Sequence, residues 1–279
     1  MEPFRPDKRG PAQTLTIADW PQRFPELTAG FTTRRGGFSA EPFAQLNCGL
    51  HVHDDADVVI ANRRLVAEQT GIPFADWVYG EQVHGRSVAV VTSADRGKGT
   101  VSREDALADT DAFVTNERGL GLAAMYADCV PLYFVDPVHH AVGLAHAGWK
   151  GTMQRIAEAT VQAMSGAFGS VPGDLHVAIG PSIGVCCYEV DDAVMENMMP
   201  LIESFGLSDD SAAFATLGSG KYKLNLQECN RQIMIKAGIL PHRIEISRWC
   251  TSCNVDRFFS HRKEQGRTGR MIAWIGWER

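Results

Sequence analysis

Three side chains able to bind a soft or borderline metal ion sit in polar turns between apolar segments. They are His84 in Gly80-Glu-Gln-Val-His-Gly85, Cys129 in Ala127-Asp-Cys-Val-Pro131 and His146 in Ala145-His-Ala-Gly-Trp-Lys-Gly151. Two imidazoles and a thiolate fill three corners of a tetrahedron around zinc, and three protein ligands plus water is a catalytic rather than a structural arrangement. Their intervals, 45 and 17 residues, are not those of a zinc motif, which brings two ligands into one short turn or helix. Spacing alone therefore favours the competing reading, a buried Cys acting as a small hydrophobe and a His satisfied in the core.

Other residues could handle an anion or a ring. Arg34 and Arg35 precede Gly36 and Gly37 in a turn that either holds phosphate through guanidinium and backbone donors or lies solvated at the surface. Arg262, Arg267 and Arg270 share a Gly-containing loop with the same two readings. Backbone N–H groups of Gly180-Pro-Ser-Ile-Gly184 could face an anion, and Tyr188 and Glu189 could offer a stacking ring and a carboxylate. His51 and His53 form the chain's one His-x-His pair, too few for a multicopper oxidase, and are read as loop residues. Cys250 and Cys253 have zinc-like spacing, but a structural site needs a second ligand pair, and none is evident in the sequence. These two, and the adjacent Cys186 and Cys187, are read as packing residues.

Elements must position these groups. Residues 54–71 carry an Asp cap, periodic apolar positions and a Gly stop, and read as a helix. Short β-rich runs at 77–82 and 87–92 flank the turn with His84, and apolar runs at 111–115, 121–126, 132–136 and 141–146 suit a sheet covered on both faces. Residues 127–131, ending at Pro131, are expected to turn, and residues 148–151 to lead into a helix that runs to about Phe168. Later segments read as a strand at 175–179, a helix at 191–205, a loop at 208–220, a strand at 221–224, a helix at 227–237 and strands at 244–249 and 271–277. Residues 1–14 are expected to form a mobile leader and 15–279 one catalytic domain, because a site drawn from residues 34 to 262 would be split by any division. Interleaved strands and helices without strict βαβ alternation give a mixed α/β (α+β) class.

At 279 residues, with 44% hydrophobic and 22% charged residues, the chain is an ordinary globular protein. Its net charge of −6 offers no global attraction to nucleic acid or an anionic membrane, so an anionic substrate needs local arginines. Seven scattered Cys suit a reducing compartment, and no apolar run resembles a signal peptide or a membrane span, so the expected location is the cytoplasm.

The segments Phe31-Thr-Thr-Arg-Arg-Gly-Gly-Phe-Ser39, Leu46-Asn-Cys-Gly-Leu-His51, Gln82-Val-His-Gly85, Asp109-Thr-Asp-Ala112, Cys186-Cys-Tyr-Glu-Val190 and Phe258-Phe-Ser-His-Arg262, with the two turns of Cys129 and His146, resemble the laccase-domain, or polyphenol-oxidase-like, family. That family includes purine nucleoside phosphorylases and the peptidoglycan editing factor. The resemblance implies a layered domain of two packed β-sheets flanked by helices, related to the catalytic fold of cytotoxic necrotising toxins. It implies that His84, Cys129 and His146 bind zinc, with copper the weaker candidate, and carry the activity. Phosphorolysis of adenosine, inosine or methylthioadenosine is the leading expectation, with nucleoside and phosphate as partners and Arg34, Arg35, Tyr188 and Arg262 as substrate-binding candidates. Glu81, Asp128 and Glu189 are candidate acids for the departing purine. Water activated by zinc to a pKa of about 7 could also deaminate adenosine, although the cytidine-deaminase signature is missing. The competing classes are a cysteine hydrolase editing peptidoglycan precursors, with Cys129 as nucleophile and His146 as base, a copper polyphenol oxidase, and a non-catalytic binding module.

Overall fold

The computed structural model describes residues 1–7, 9–207 and 212–279. In chain order its strands are β1 (Phe4–Pro6), β2 (Thr14–Ile17), β3 (Leu27–Thr32), β4 (Trp77–Tyr79), β5 (Val88–Val90), β6 (Ala112–Thr115), β7 (Gly121–Tyr126) and β8 (Val130–Asp136). They continue as β9 (Ala141–Ala147), β10 (His176–Ile179), β11 (Glu189–Asp191), β12 (Phe214–Gly218), β13 (Lys221–Leu224), β14 (Ile244–Ile246) and β15 (Met271–Trp277). The helices are α1 (Trp20–Arg23), α2 (Ala56–Glu68), α3 (Trp149–Met153), α4 (Ile156–Phe168), α5 (Asp192–Ser204) and α6 (Leu226–Lys236).

Two six-stranded sheets pack face to face. The first runs β1-β2-β3-β15-β7-β4, the second β14-β10-β8-β9-β6-β5, and β11-β13-β12 form a small third sheet. Alternation along β8 explains its unbroken apolar run. Tyr133 and Val135 point to the first sheet, meeting Phe4, Phe31 and Leu122, while Leu132 and Phe134 point to the helical side with Val161, Met164 and Ile233. Each fully buried side chain of this kind contributes roughly 1.5–3 kcal/mol. Helix α2, capped by the Asp55 carboxylate, covers the far side of the first sheet through Val66 and Ala67 against Trp77, Ala123 and Trp274. The mixed α/β class and the two packed sheets flanked by helices are therefore as expected.

Several expectations need correction. The leader expectation for residues 1–14 does not hold at β1, because the apolar ring of Phe4 is buried against Tyr133 and β1 pairs with β2. The turn expected over residues 127–131 is found at 127–129, where Asp128 has a φ of 84°, but it ends before Pro131. Pro131 lies inside β8, opposite His146, where its carbonyl accepts the Gly180 N–H. The helix expected to follow residues 148–151 and run to about Phe168 is two helices, α3 and α4, separated at Arg155, whose φ of 61° is left-handed. Residues 208–211 of the expected loop lie outside the described residues, and Phe214–Gly218 is a strand paired with β13. Among the described residues no helix is long and apolar enough to cross a membrane.

Candidate active site

Strand register, antiparallel for β6, β9 and β8 and parallel for β5 and β6, brings the distant ligands to one end of the second sheet. Ala112 of β6 pairs with Ala145 of β9, Pro131 of β8 with His146 of β9, and Val88 of β5 with Ala112 of β6. Asp111, Cys129 and the His84 turn each lie just before one of these strands, so they gather around His146. The donor atoms of His84, Cys129 and His146 all lie within 4.8 Å of one another. The Cys129 Sγ and His84 Nε2 are 3.9 Å apart, near the roughly 3.5 Å that a tetrahedral zinc with Zn–S of about 2.3 Å and Zn–N of about 2.0 Å requires. Gly148 makes room, since a Cβ there would stand 2.9 Å from His84 Cδ2 and 3.2 Å from Cys129 Sγ.

Asp111 organises two of the three. Its buried Oδ1 accepts from the His84 N–H at 3.1 Å and faces His146 Nδ1 at 2.8 Å, while Oδ2 accepts from the Val83 and Gly85 N–H groups at 3.1 and 2.7 Å. The carboxylate thus fixes the turn in which His84 adopts a left-handed φ of 62°, and a proton on Nδ1 leaves His146 Nε2 free as a ligand. Gln82 pins the same turn to β7 by exchanging two hydrogen bonds with the Met125 backbone. Burial pushes the Asp111 carboxyl up, but His146 and the turn amides outweigh it and hold it below the usual range. Burial likewise raises the Cys129 thiol, yet His146 and His84 reverse this and bring it down to about 6. Burial lowers the His146 pKa, but Cys129 and Asp111 raise it further, to about 9.

The trio lies at the floor of a cleft of about 490 Å³, within the range of small-molecule sites. Arg63, Arg103, Arg262 and Arg270 line it, against the carboxylates of Glu81 and Asp128. Arg63 stacks on Tyr79 at 4.2 Å and spends its donors on the Cys48, Gly99 and Thr100 carbonyls. Burial, then Arg270, Arg103 and Arg63, hold His51 down at about 3, so its ring is neutral.

A family model described as multi-copper polyphenol oxidoreductase laccase matches residues 28–278. The chain belongs to this family. Its laccase-family relatives include the purine nucleoside phosphorylase YlmD of Bacillus subtilis, 44% identical over 99% of both chains, and that of Geobacillus stearothermophilus, 45% identical over 91% of both. Among solved structures, a Bacillus licheniformis hypothetical protein, YfiH, superposes with a TM-score of 0.92 at 45% identity, covering all of both chains.

This laccase-family chain does not gather every residue that its sequence suggested. Tyr188 and Arg262 line the cleft, with Arg262 5.1 Å from the Tyr188 ring centre. Arg34 and Arg35 are elsewhere. Arg34 lies over Phe259 and bonds Glu264 and the Ala44 and Val255 carbonyls, and Arg35 reaches the Asp256 carbonyl. Asp128 reaches the cleft but already accepts from the Thr251 and Ser260 hydroxyls and the Arg262 N–H. Glu189 points outside toward Lys223, which leaves Glu81 with only a loose ion pair to Arg103 at 3.9 Å. Arg270, one of the three arginines offered for an anion, lines the cleft. Sequence reasoning missed Asp111 and His51; the available signals were the Asp109-Thr-Asp111 run, which carried no role, and the His51-Val-His53 pair, read as loop.

Proposed function

We propose that this chain is a cytoplasmic purine nucleoside phosphorylase acting on adenosine, inosine or methylthioadenosine, with zinc held by His84, Cys129 and His146. The observation that carries this reading is the meeting of three ligand atoms at the floor of an arginine-lined cleft, in a chain whose near-full-length relatives bear that name. The donor set suits zinc, being one thiolate and two imidazoles with the second imidazole oriented by a carboxylate. When bound, zinc supplies a Lewis acid with one open position.

The chain's own residues supply the rest. In phosphorolysis a phosphate oxygen bonds to the anomeric carbon as the bond to the purine nitrogen breaks, and the purine departs with a proton. Arg103 and Arg270 carry forked donors suited to the phosphate oxyanions, and neutral His51 beside them can donate one N–H more. Trp149 and Tyr188 offer flat faces to the purine, the latter backed by Arg262. Glu81 is the carboxyl best suited to deliver the proton. Adenosine deamination would use the same cleft, with water replacing phosphate.

A cysteine-hydrolase reading, amide editing of a peptidoglycan precursor, draws on the Cys129 and His146 pairing, which favours a thiolate beside an imidazolium. Zinc-loaded protein incubated with adenosine separates the readings. Adenine formed only with phosphate supports phosphorolysis, and phosphate-independent inosine reveals deamination. Fully zinc-loaded protein that releases neither overturns the nucleoside reading.

A further inference from the structure

Four cysteines that the sequence leaves without a shared role converge away from the cleft floor. The Sγ atoms of Cys186, Cys187, Cys250 and Cys253 lie within 4.8 Å of one another. Packing does not explain them, because Cys186 and Cys253 are exposed. The second ligand pair that Cys250 and Cys253 lack in sequence is supplied in space by the adjacent pair from another loop. We propose that these four thiolates form a tetrahedral zinc site, separate from the His84 centre and independent of the activity proposed for it.

The geometry fits one ion better than a disulfide. A tetrathiolate with Zn–S of about 2.3 Å has sulfur–sulfur edges of about 3.8 Å, and Cys253 Sγ lies 3.6 Å from Cys186 Sγ and 3.3 Å from Cys187 Sγ. A disulfide needs about 2.05 Å and would leave the other two sulfurs unpaired. The surrounding backbone already serves thiolates. The Gly184 N–H donates to Cys250 Sγ at 3.2 Å, and a Cβ at Gly184 would crowd Cys186 Sγ and Cys250 Cβ, each at 3.3 Å. Soft sulfur ligands with no competing carboxylate select zinc over the hard cations.

The two loops are also fixed before any ion binds. Ser182 forms a parallel bridge with Cys250, and the Thr251 N–H donates to the Ser182 carbonyl at 3.0 Å. Tyr188, on the cleft wall, follows Cys187 directly. Thr251, next to Cys250, donates to Asp128 at 2.6 Å, beside Cys129. An ion here would tie together two segments that shape the cleft.

The test counts metal and thiols in the intact chain purified under reducing conditions. Wild-type protein should hold two zinc ions, and the His84→Ala/His146→Ala variant should keep one, released as a mercurial titrates four thiols beyond that of Cys129. Cobalt exchanged into that variant should give an intense thiolate-to-metal charge-transfer band, and further substitution of the exposed Cys253→Ser should weaken it and lower zinc affinity. Should that serine variant misfold, the titration of the His84→Ala/His146→Ala protein still decides. A His84→Ala/His146→Ala protein without metal, whether its four thiols react freely or its mass shows loss of the hydrogens of a disulfide, overturns the proposal. Absence of nucleoside turnover would not bear on it.

Discussion

Replacing Asp111 by Asn tests the claim that one carboxylate sets two of the ligands. The amide keeps the shape but turns one oxygen into a donor. If nitrogen takes the Oδ2 side, it meets the Val83 and Gly85 N–H groups, and the left-handed turn at His84 loses both bonds. If it takes the Oδ1 side, it faces the His84 N–H and His146 Nδ1, driving His146 to the tautomer whose Nε2 carries the proton. The first orientation loses two hydrogen bonds to a charged acceptor, and the second loses the His84 bond and reverses the His146 one; at about 1.5–3 kcal/mol for each bond lost, Asp111→Asn should destabilise the metal-free fold by about 1.5–6 kcal/mol before relaxation. Loss of a partner that orients a ligand typically weakens metal binding about 10–100-fold. Chelator competition measures the zinc affinity of the cleft, thermal unfolding measures stability, and phosphorolysis of adenosine gives kcat/KM. An Asp111→Asn protein with wild-type zinc affinity and kcat/KM would refute the reasoning, because the carboxylate would then only fill space.

Two further outcomes follow from the electrostatics and the arginines. In metal-free protein the folded Cys129 pKa is depressed to about 6 and that of His146 raised to about 9, so the ion pair stabilises the fold between those values and is lost as pH falls below about 6 or rises above about 9. Alkylation of Cys129 by iodoacetamide should therefore rise through pH 6 and level off, with zinc protecting the thiol. At pH 7 the thiolate is about 90-fold more abundant than for an ordinary Cys, and its lower nucleophilicity cancels roughly 20-fold of that, so a rate about 4-fold above a free thiol is expected. A rate still climbing tenfold per unit between pH 7 and 9 would contradict the pairing. Arg34→Ala should lower stability by about 2–4 kcal/mol, because it takes the ion-pair partner from half-buried Glu264, which keeps the Ser260 N–H and the Thr268 hydroxyl, while leaving the KM for phosphate unchanged. Arg270→Lys, by contrast, should raise that KM about tenfold or more; the reverse pattern in steady-state kinetics would return the phosphate to Arg34.

The elements were legible because strand and helix signals are local. Gly121–Tyr126 and Met271–Trp277 were expected at the limits the structure gives, and α2 was announced by its Asp cap. Where a local rule failed, tertiary context had overruled it. Pro131 reads as a chain breaker, yet it sits near the start of β8, where its carbonyl still serves Gly180. Phe4 reads as part of a charged, Pro-rich tail until Tyr133, far along the chain, supplies a wall to bury it.

Site residues were harder because this site is a property of sheet register rather than of any one segment. His84, Cys129 and His146 precede or end strands that the sequence does not pair, so only β5, β6, β8 and β9 side by side make their spacing meaningful. The same argument explains why the sequence could not rank Arg34 against Arg270. The Arg34 turn and the Arg270 loop carry the same kinds of residue, but the first packs its charge against Phe259 and Glu264 while the second faces the cleft. Composition cannot tell a charge used to hold two loops together from one kept for a ligand. Their hydrogen-bond partners can: Arg34 and Asp128 are held by three partners each and belong to the scaffold, Arg270 gives Nη1 to the Thr268 and Gly269 carbonyls but keeps Nε and Nη2 beside the cleft that it lines, and Arg103 and Glu81 are joined by a loose ion pair at 3.9 Å.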